Sequence, residues 1–199
     1  MPTGRWIVVD TETSGLDPER DRLLAIGGVA VDDDGIMLGD SFEIVLQGVP
    51  SGDPANIVVH GIGHAAQEGG MPARGALAAF RDWRAGAPCV GFHADFDRTV
   101  LRVAFVGAGI PADDARWLDL EPLAAVLLPD TQRRGGRSLD DWLAVFGIEC
   151  ANRHSAASDA LATAELLLRL RAIAARQGTR GFEALVRAAR QQKWLGKAD

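Results

Sequence analysis

Tyrosine is missing altogether from this chain, which removes every mechanism built on a phenolic acid or base. Cysteine is scarce: Cys89 and Cys150 stand far apart, and two isolated thiols support neither a disulfide framework nor a zinc finger. Long hydrophobic runs are absent as well, none approaching the ~20 residues that span a bilayer. Met1 to Gly4 leads straight into a strand-like segment, where a secretory leader would place a charged and then an apolar stretch. The expectation is a protein that stays in the cytoplasm and has no membrane partner. An excess of positive charge is lacking too, since the formal net charge is −6. From Arg169 onward eight basic residues face only Glu183 and Asp199, a local charge of +6 that leaves −12 on residues 1–168. Such an acidic body has no simple electrostatic grip on nucleic acid. It is compatible with a site where gathered carboxylates hold divalent cations, because bound ions offset their charge.

With 199 residues and 24% of them charged, the chain is long enough and apolar enough to bury one core without covalent staples. Residues 1–176 read as the body of that domain, and 177–199 as a basic amphipathic C-terminal helix packed on it. The run from Arg5 to Asp10, and the stretches Arg22 to Val31 and Ile36 to Val45, predict three consecutive antiparallel strands. Residues 47–72 read as a long loop with one helical turn after Ile62. Leu77, Phe80 and Trp83 recur at helical spacing, and the helix they mark stops at Ala85 to Pro88, ahead of a short strand from Cys89 to Phe92. A helix from Phe96 to Val106, a strand from Arg116 to Leu120, a capping box at Ser138 to Asp141, an Ala/Leu helix from Ala156 to Ala175 and a last helix from Phe182 to Leu195 follow. Strands first, then helices alternating with short strands, predict an α/β mixed sheet flanked by helices.

Three segments offer chemistry. In Asp10-Thr11-Glu12-Thr13-Ser14-Gly15, at the end of the first strand, Asp10 and Glu12 are two apart and face the same way, so both can converge on a hard cation such as Mg²⁺ or Mn²⁺. By itself the segment reads also as a solvated strand-to-turn junction. In Val90 to Asp97, a short strand meets a helix, and Asp95 and Asp97 are either ligands or carboxylates favoured by the helix dipole. In His154 to Asp159, a loop histidine precedes an acid on the first turn of a helix, which suits a base beside a metal ligand or a surface His ahead of a Ser-capped helix.

Taken in order, Asp10, Glu12, Asp97, His154 and Asp159 resemble the pattern of the DEDDh exonucleases. The first segment is similar to that family's D-x-E-T-[TS]-G-L, the second (Phe96-Asp97 with Leu101) to F-D-x-x-x-L, and the third (His154, Asp159, Ala160, Thr163) to H-x-x-x-x-D-A-x-x-T. Val59-His60-Gly61-Ile62 resembles its H-G-I loop. The proofreading, or epsilon, subunits of bacterial DNA polymerase III are the nearest branch, and the sister group with Tyr in place of His is excluded by composition. Asp97 is preferred over Asp95 because it alone follows Phe and precedes Leu at the family's spacing. Phe92-His93 stands where many members have His-Asn, a departure that touches substrate contacts.

The resemblance implies a ribonuclease H-like fold and a 3′→5′ exonuclease that releases nucleoside 5′-monophosphates from single-stranded DNA ends, for proofreading or repair. An exoribonuclease acting on RNA ends is the alternative, and a binding module with a decayed site a third. It further implies two Mg²⁺ or Mn²⁺ held by Asp10, Glu12, Asp97 and Asp159, with His154 as general base. Thr13, Gly15, Leu16, His60 and Phe92 fall at positions that approach the terminal nucleotide. For the C-terminal helix, a solvated basic face, phosphate tracking, and docking to a DNA polymerase or sliding clamp all stay open.

Overall fold

The computed structural model describes residues 4–48, 64–112, 114–129 and 137–195. The H-G-I-like segment with His60 lies outside the described residues, as do the side chains of residues 192–195. Five strands form one sheet in the order β3-β2-β1-β4-β5: β1 (Trp6–Thr13), β2 (Leu23–Val31), β3 (Ile36–Val45), β4 (Cys89–Gly91) and β5 (Trp117–Asp119). The first three pair antiparallel, as their consecutive apolar runs anticipate, and β4 and β5 add in parallel. Helices α1 (His64–Glu68), α2 (Ala73–Arg84), α3 (Ala94–Gly107), α4 (Leu120–Leu127), α5 (Leu139–Phe146), α6 (Ala156–Arg176) and α7 (Phe182–Leu195) complete the described chain. The expected mixed sheet flanked by helices is therefore the architecture found.

Strand alternation sorts the core into two layers. Trp6 and Val8 of β1 face a cluster built from α4, α5, α6 and α7, whereas Ile7 and Val9 face one built from α2 and α3. Phe182, Leu185, Val186 and Ala189 bury the apolar stripe of α7 in the first cluster. Its arginines Arg187 and Arg190 stay exposed. Helix α5 begins with the anticipated capping box: Ser138 accepts from the Asp141 N–H, and the Asp141 carboxylate accepts from the Ser138 N–H. Helix α4 is one that periodicity did not reveal, because Leu120, Pro122, Leu123, Ala124, Ala125 and Leu127 bury it nearly all round. The Asp119 carboxylate caps its start by accepting from the Glu121 N–H.

Two glycines of β2 let the layers close. A Cβ on Gly27 would collide with the Ala156–Ala157 peptide at the start of α6, and one on Gly28 would strike the Trp83 ring of α2. Gly27 also sits directly opposite Asp10 in the β1–β2 register. The backbone contact at Gly27 thus fixes how near the first turn of α6 comes to Asp10. Gly27→Ala is expected to cost about 3 kcal/mol, the upper range for overpacking against an element that has to move. A thermal melt would check this, and a loss under about 1 kcal/mol would mean that α6 shifts freely.

Candidate metal-dependent active site

The site forms where β1 outruns its parallel neighbour. Ile7 and Val8 pair with Cys89 and Val90, and β4 ends at Gly91, so Asp10 and Glu12 lie past the last paired residue on that side. Openings of this kind, outside the carboxyl ends of parallel strands, are where α/β sheets receive ligands. Asp10 and Glu12 share the face of β1 that α6 covers, and Asp159, in the first turn of α6, meets them there. One ligand oxygen from each of Asp10, Glu12 and Asp159 lies within 4.8 Å of the others.

Asp97 belongs to the opposite layer. It sits in the first turn of α3, and its Oδ1 accepts a 2.7 Å bond from the hydroxyl of Thr11, whose side chain points to that layer. It stands outside the group of three yet close enough that its negative charge acts on both Asp10 and Glu12. Asp95 is exposed on the outer side of the same turn.

Crowding leaves a clear electrostatic mark. Burial, followed by the charges of Asp97, Asp159 and Glu12, holds Asp10 well above the usual carboxylate range, with Arg153 opposing. Burial and then Asp159 push Glu12 up to about 7, and burial pushes Asp97 up to about 7 against the Thr11 bond. An all-oxygen donor set whose members resist ionising together fits a hard divalent cation, which would stabilise the charged forms.

The sign of these shifts yields a stability prediction. Glu12 and Asp97 release their protons near 7 in the folded protein, against about 4 in an unfolded chain. Their contribution is fully present below about pH 4 and lost as pH rises through 7. Asp40, lowered by its bonds to Arg5, works in the opposite sense but below that window. In EDTA the melting temperature should fall by roughly 5 °C between pH 5.5 and 8. Mn²⁺ should restore it at pH 8. A flat or rising profile in EDTA would contradict the crowding.

The loop before α6 holds Asp159 from several sides. Its Oδ2 accepts a 3.0 Å bond from the backbone N–H of His154, and its Oδ1 accepts from the thiol of Cys150 at 3.3 Å and contacts the guanidinium of Arg153. Arg153 reaches on to Asp140 of α5 at 2.6 Å. His154 lies in the loop, as the spacing predicts, with its backbone at φ 64° and its side chain exposed. Few residues other than glycine hold that left-handed conformation without cost, and at functional sites such strain is retained.

The other expected substrate positions gather near the strand ends. Leu16 is 93% exposed in the turn after β1, and Thr13 donates to the Gly15 carbonyl at 2.6 Å, which fixes that turn. Phe92 is half-buried at the end of β4, with His93 edge-on to its ring at 4.7 Å. His93 is also left-handed, at φ 57°, and its N–H donates to Asp119. Thr11, Arg153, Cys150 and Gly27 are absent from the expected set. Thr11 was signalled by its place between two acids, whereas Arg153 and Cys150 gain their roles only from the folding of the loop before α6, and Gly27 from a partner distant in sequence.

A ribonuclease H-like scaffold with carboxylates at the ends of β1, α3 and α6 is the class this fold and site define. Residues 7–167 match the Exonuclease family (RNase_T), and the chain belongs to it. It is 31% identical over 168 residues to a DNA polymerase III subunit epsilon-like protein of Rhodobacter capsulatus, covering 83% of this chain and 23% of that one. With the PolC-type DNA polymerase III of Thermotoga petrophila it shares 27% over 165 residues, 82% of this chain and 12% of the relative. The chain thus spans less than a quarter of the length of either. E. coli Exonuclease I in complex with a dT13 oligonucleotide superposes with a TM-score of 0.73 at 19% identity, over 88% of this chain and 42% of that one. At that identity the likeness concerns the fold. Among the described residues no helix is long and apolar enough to cross a membrane.

Proposed function

We propose that the chain is a metal-dependent 3′→5′ exonuclease that shortens single-stranded DNA ends and releases nucleoside 5′-monophosphates, in proofreading or repair. The observation that carries this reading is the convergence of Asp10, Glu12 and Asp159 within 4.8 Å, with Asp97 behind them, in a member of the Exonuclease family. These four would hold two Mg²⁺ or Mn²⁺, which when bound would acidify the attacking water and offset charge on the leaving oxygen. His154 accepts the proton of that water, its main chain anchored to Asp159 while its imidazole stays accessible. Leu16 and Phe92 offer apolar surface to the terminal base, with Thr13 and Gly15 shaping the turn beneath.

DNA is favoured as the substrate because the related solved structure holds a dT13 oligonucleotide and the relatives are DNA polymerase III proteins. Association with a DNA polymerase belongs to the same proposal, supported by the names of those relatives. The basic C-terminal helix, with Arg187 and Arg190 exposed, can supply the charge for phosphate tracking that the acidic body lacks, although the groove it borders beside α3 and β5 carries Asp95 and Asp119 as well as Arg98 and Arg190. Assays with DNA and RNA oligomers of one sequence, single-stranded and duplex, test the reading. Single-stranded DNA should be degraded at least about tenfold faster than RNA, whose 2′-OH a DNA site has no group to receive. The reverse preference would make the protein an exoribonuclease, and binding without hydrolysis would make it a binding module.

A further inference from the structure

Arg153 brings a guanidinium into contact with the carboxylate cluster, and the function above has no use for it. Its guanidinium touches Asp159 Oδ1 and bridges to Asp140, in the first turn of α5, through Nε at 2.6 Å and a second nitrogen at 3.4 Å. Its positive charge also reaches past Asp159 to Asp10 and Glu12, where it favours ionisation against the crowding. A guanidinium is charged at any working pH, so Arg153 brings a permanent positive charge to Asp159.

We propose that Arg153 is the resident counter-ion of the metal-free site and competes with the divalent cation for Asp159, so that metal loading shifts the guanidinium off Asp159 while Asp140 retains it. The inference rests on the metal-dependent reading above. The His154 N–H can remain on Oδ2 beside a metal, because one oxygen accepts from two directions. A guanidinium on Oδ1 cannot, because an ion shared with Asp10 and Glu12 would meet a like charge at close range. Asp140 supplies the second anchor: it is exposed, lies outside the cluster, and keeps the displaced side chain local. Arg153 is in this sense a positioning residue that sets the metal concentration at which the site fills.

Titrating the purified protein with Mn²⁺, read by calorimetry and by the melting temperature, tests this without any turnover. A charge-assisted bond is worth roughly 1.5 to 3 kcal/mol, a factor of about 10 to 100. The Arg153 side chain is 29% exposed and water weakens its pairing, so the lower end applies. Arg153→Gln should bind Mn²⁺ with a Kd about tenfold lower than wild type, melt earlier without metal, and gain more from it. A side chain that merely braces the loop would give the opposite, since its loss would loosen Asp159 and weaken binding. Should Arg153→Gln fail to fold, Arg153→Lys becomes the measured variant. It keeps the charge, cannot fork between two carboxylates, and should tighten binding by roughly threefold. Unchanged or weaker Mn²⁺ binding in the folded variant overturns the inference and leaves the exonuclease reading standing. A wild-type protein that binds no Mn²⁺ overturns both.

Discussion

Asp10→Ala is expected to cut turnover to below about one-thousandth of wild type, since losing a ligand shared by two ions removes several kcal/mol of transition-state stabilisation. The same substitution should leave the metal-free protein as stable as before, or more so. Burial and three neighbouring acids disfavour the charged form of Asp10, and its removal relieves that crowding. Asp159→Ala should be equally inactive but less stable, by roughly 1 to 2 kcal/mol. The difference comes from partners: Asp159 accepts from Cys150 and from the His154 N–H and pairs with Arg153, so alanine strands the His154 N–H and takes one partner each from Cys150 and Arg153 at the start of α6. Steady-state rates at saturating Mn²⁺, with melts in EDTA, separate the two variants. More than a few per cent of wild-type activity in either would remove that residue from the metal site.

His154→Ala should lower the rate by roughly 10² to 10⁴, the scale for losing a general base, while Mn²⁺ affinity changes little. Binding survives because Asp159 is held by the main-chain N–H of residue 154, which any side chain leaves in place. The left-handed backbone adds an internal control. His154→Gly relieves the strain of φ 64° and should be at least as stable as wild type, yet as inactive as the alanine variant. The loss should fall on kcat with KM nearly constant. A glycine variant within tenfold of wild-type kcat would take the imidazole out of the reaction.

Much of this site is written in local spacing. The β-branched run before Asp10 makes β1, the two-residue period sets Asp10 and Glu12 on one face, and the Ala/Leu helix from Ala156 places Asp159 in its first turn. What spacing could not convey is which layer each acid comes from. Asp97 approaches from the α3 side and is tied to Thr11, so the acids form a group of three with a fourth behind it. Helix α4 was hidden because an all-round apolar segment carries no 3.6-residue signal. Gly27 gains its meaning only from the register that sets it opposite Asp10 and beneath the start of α6. Arg153 reads in the sequence as one more loop arginine, and its two partners, 13 residues before it and six after, become neighbours only when α5 and α6 pack.

A metal-dependent cut at the 3′ end is tested most directly by following a 5′-labelled single-stranded DNA oligomer with Mn²⁺ over time, beside EDTA and Asp10→Ala controls. The expected result is a ladder that shortens one nucleotide at a time from the 3′ end, with nucleoside 5′-monophosphates released and both controls silent. Immediate release of the 5′ label, internal cleavage, or degradation that persists in EDTA would contradict it.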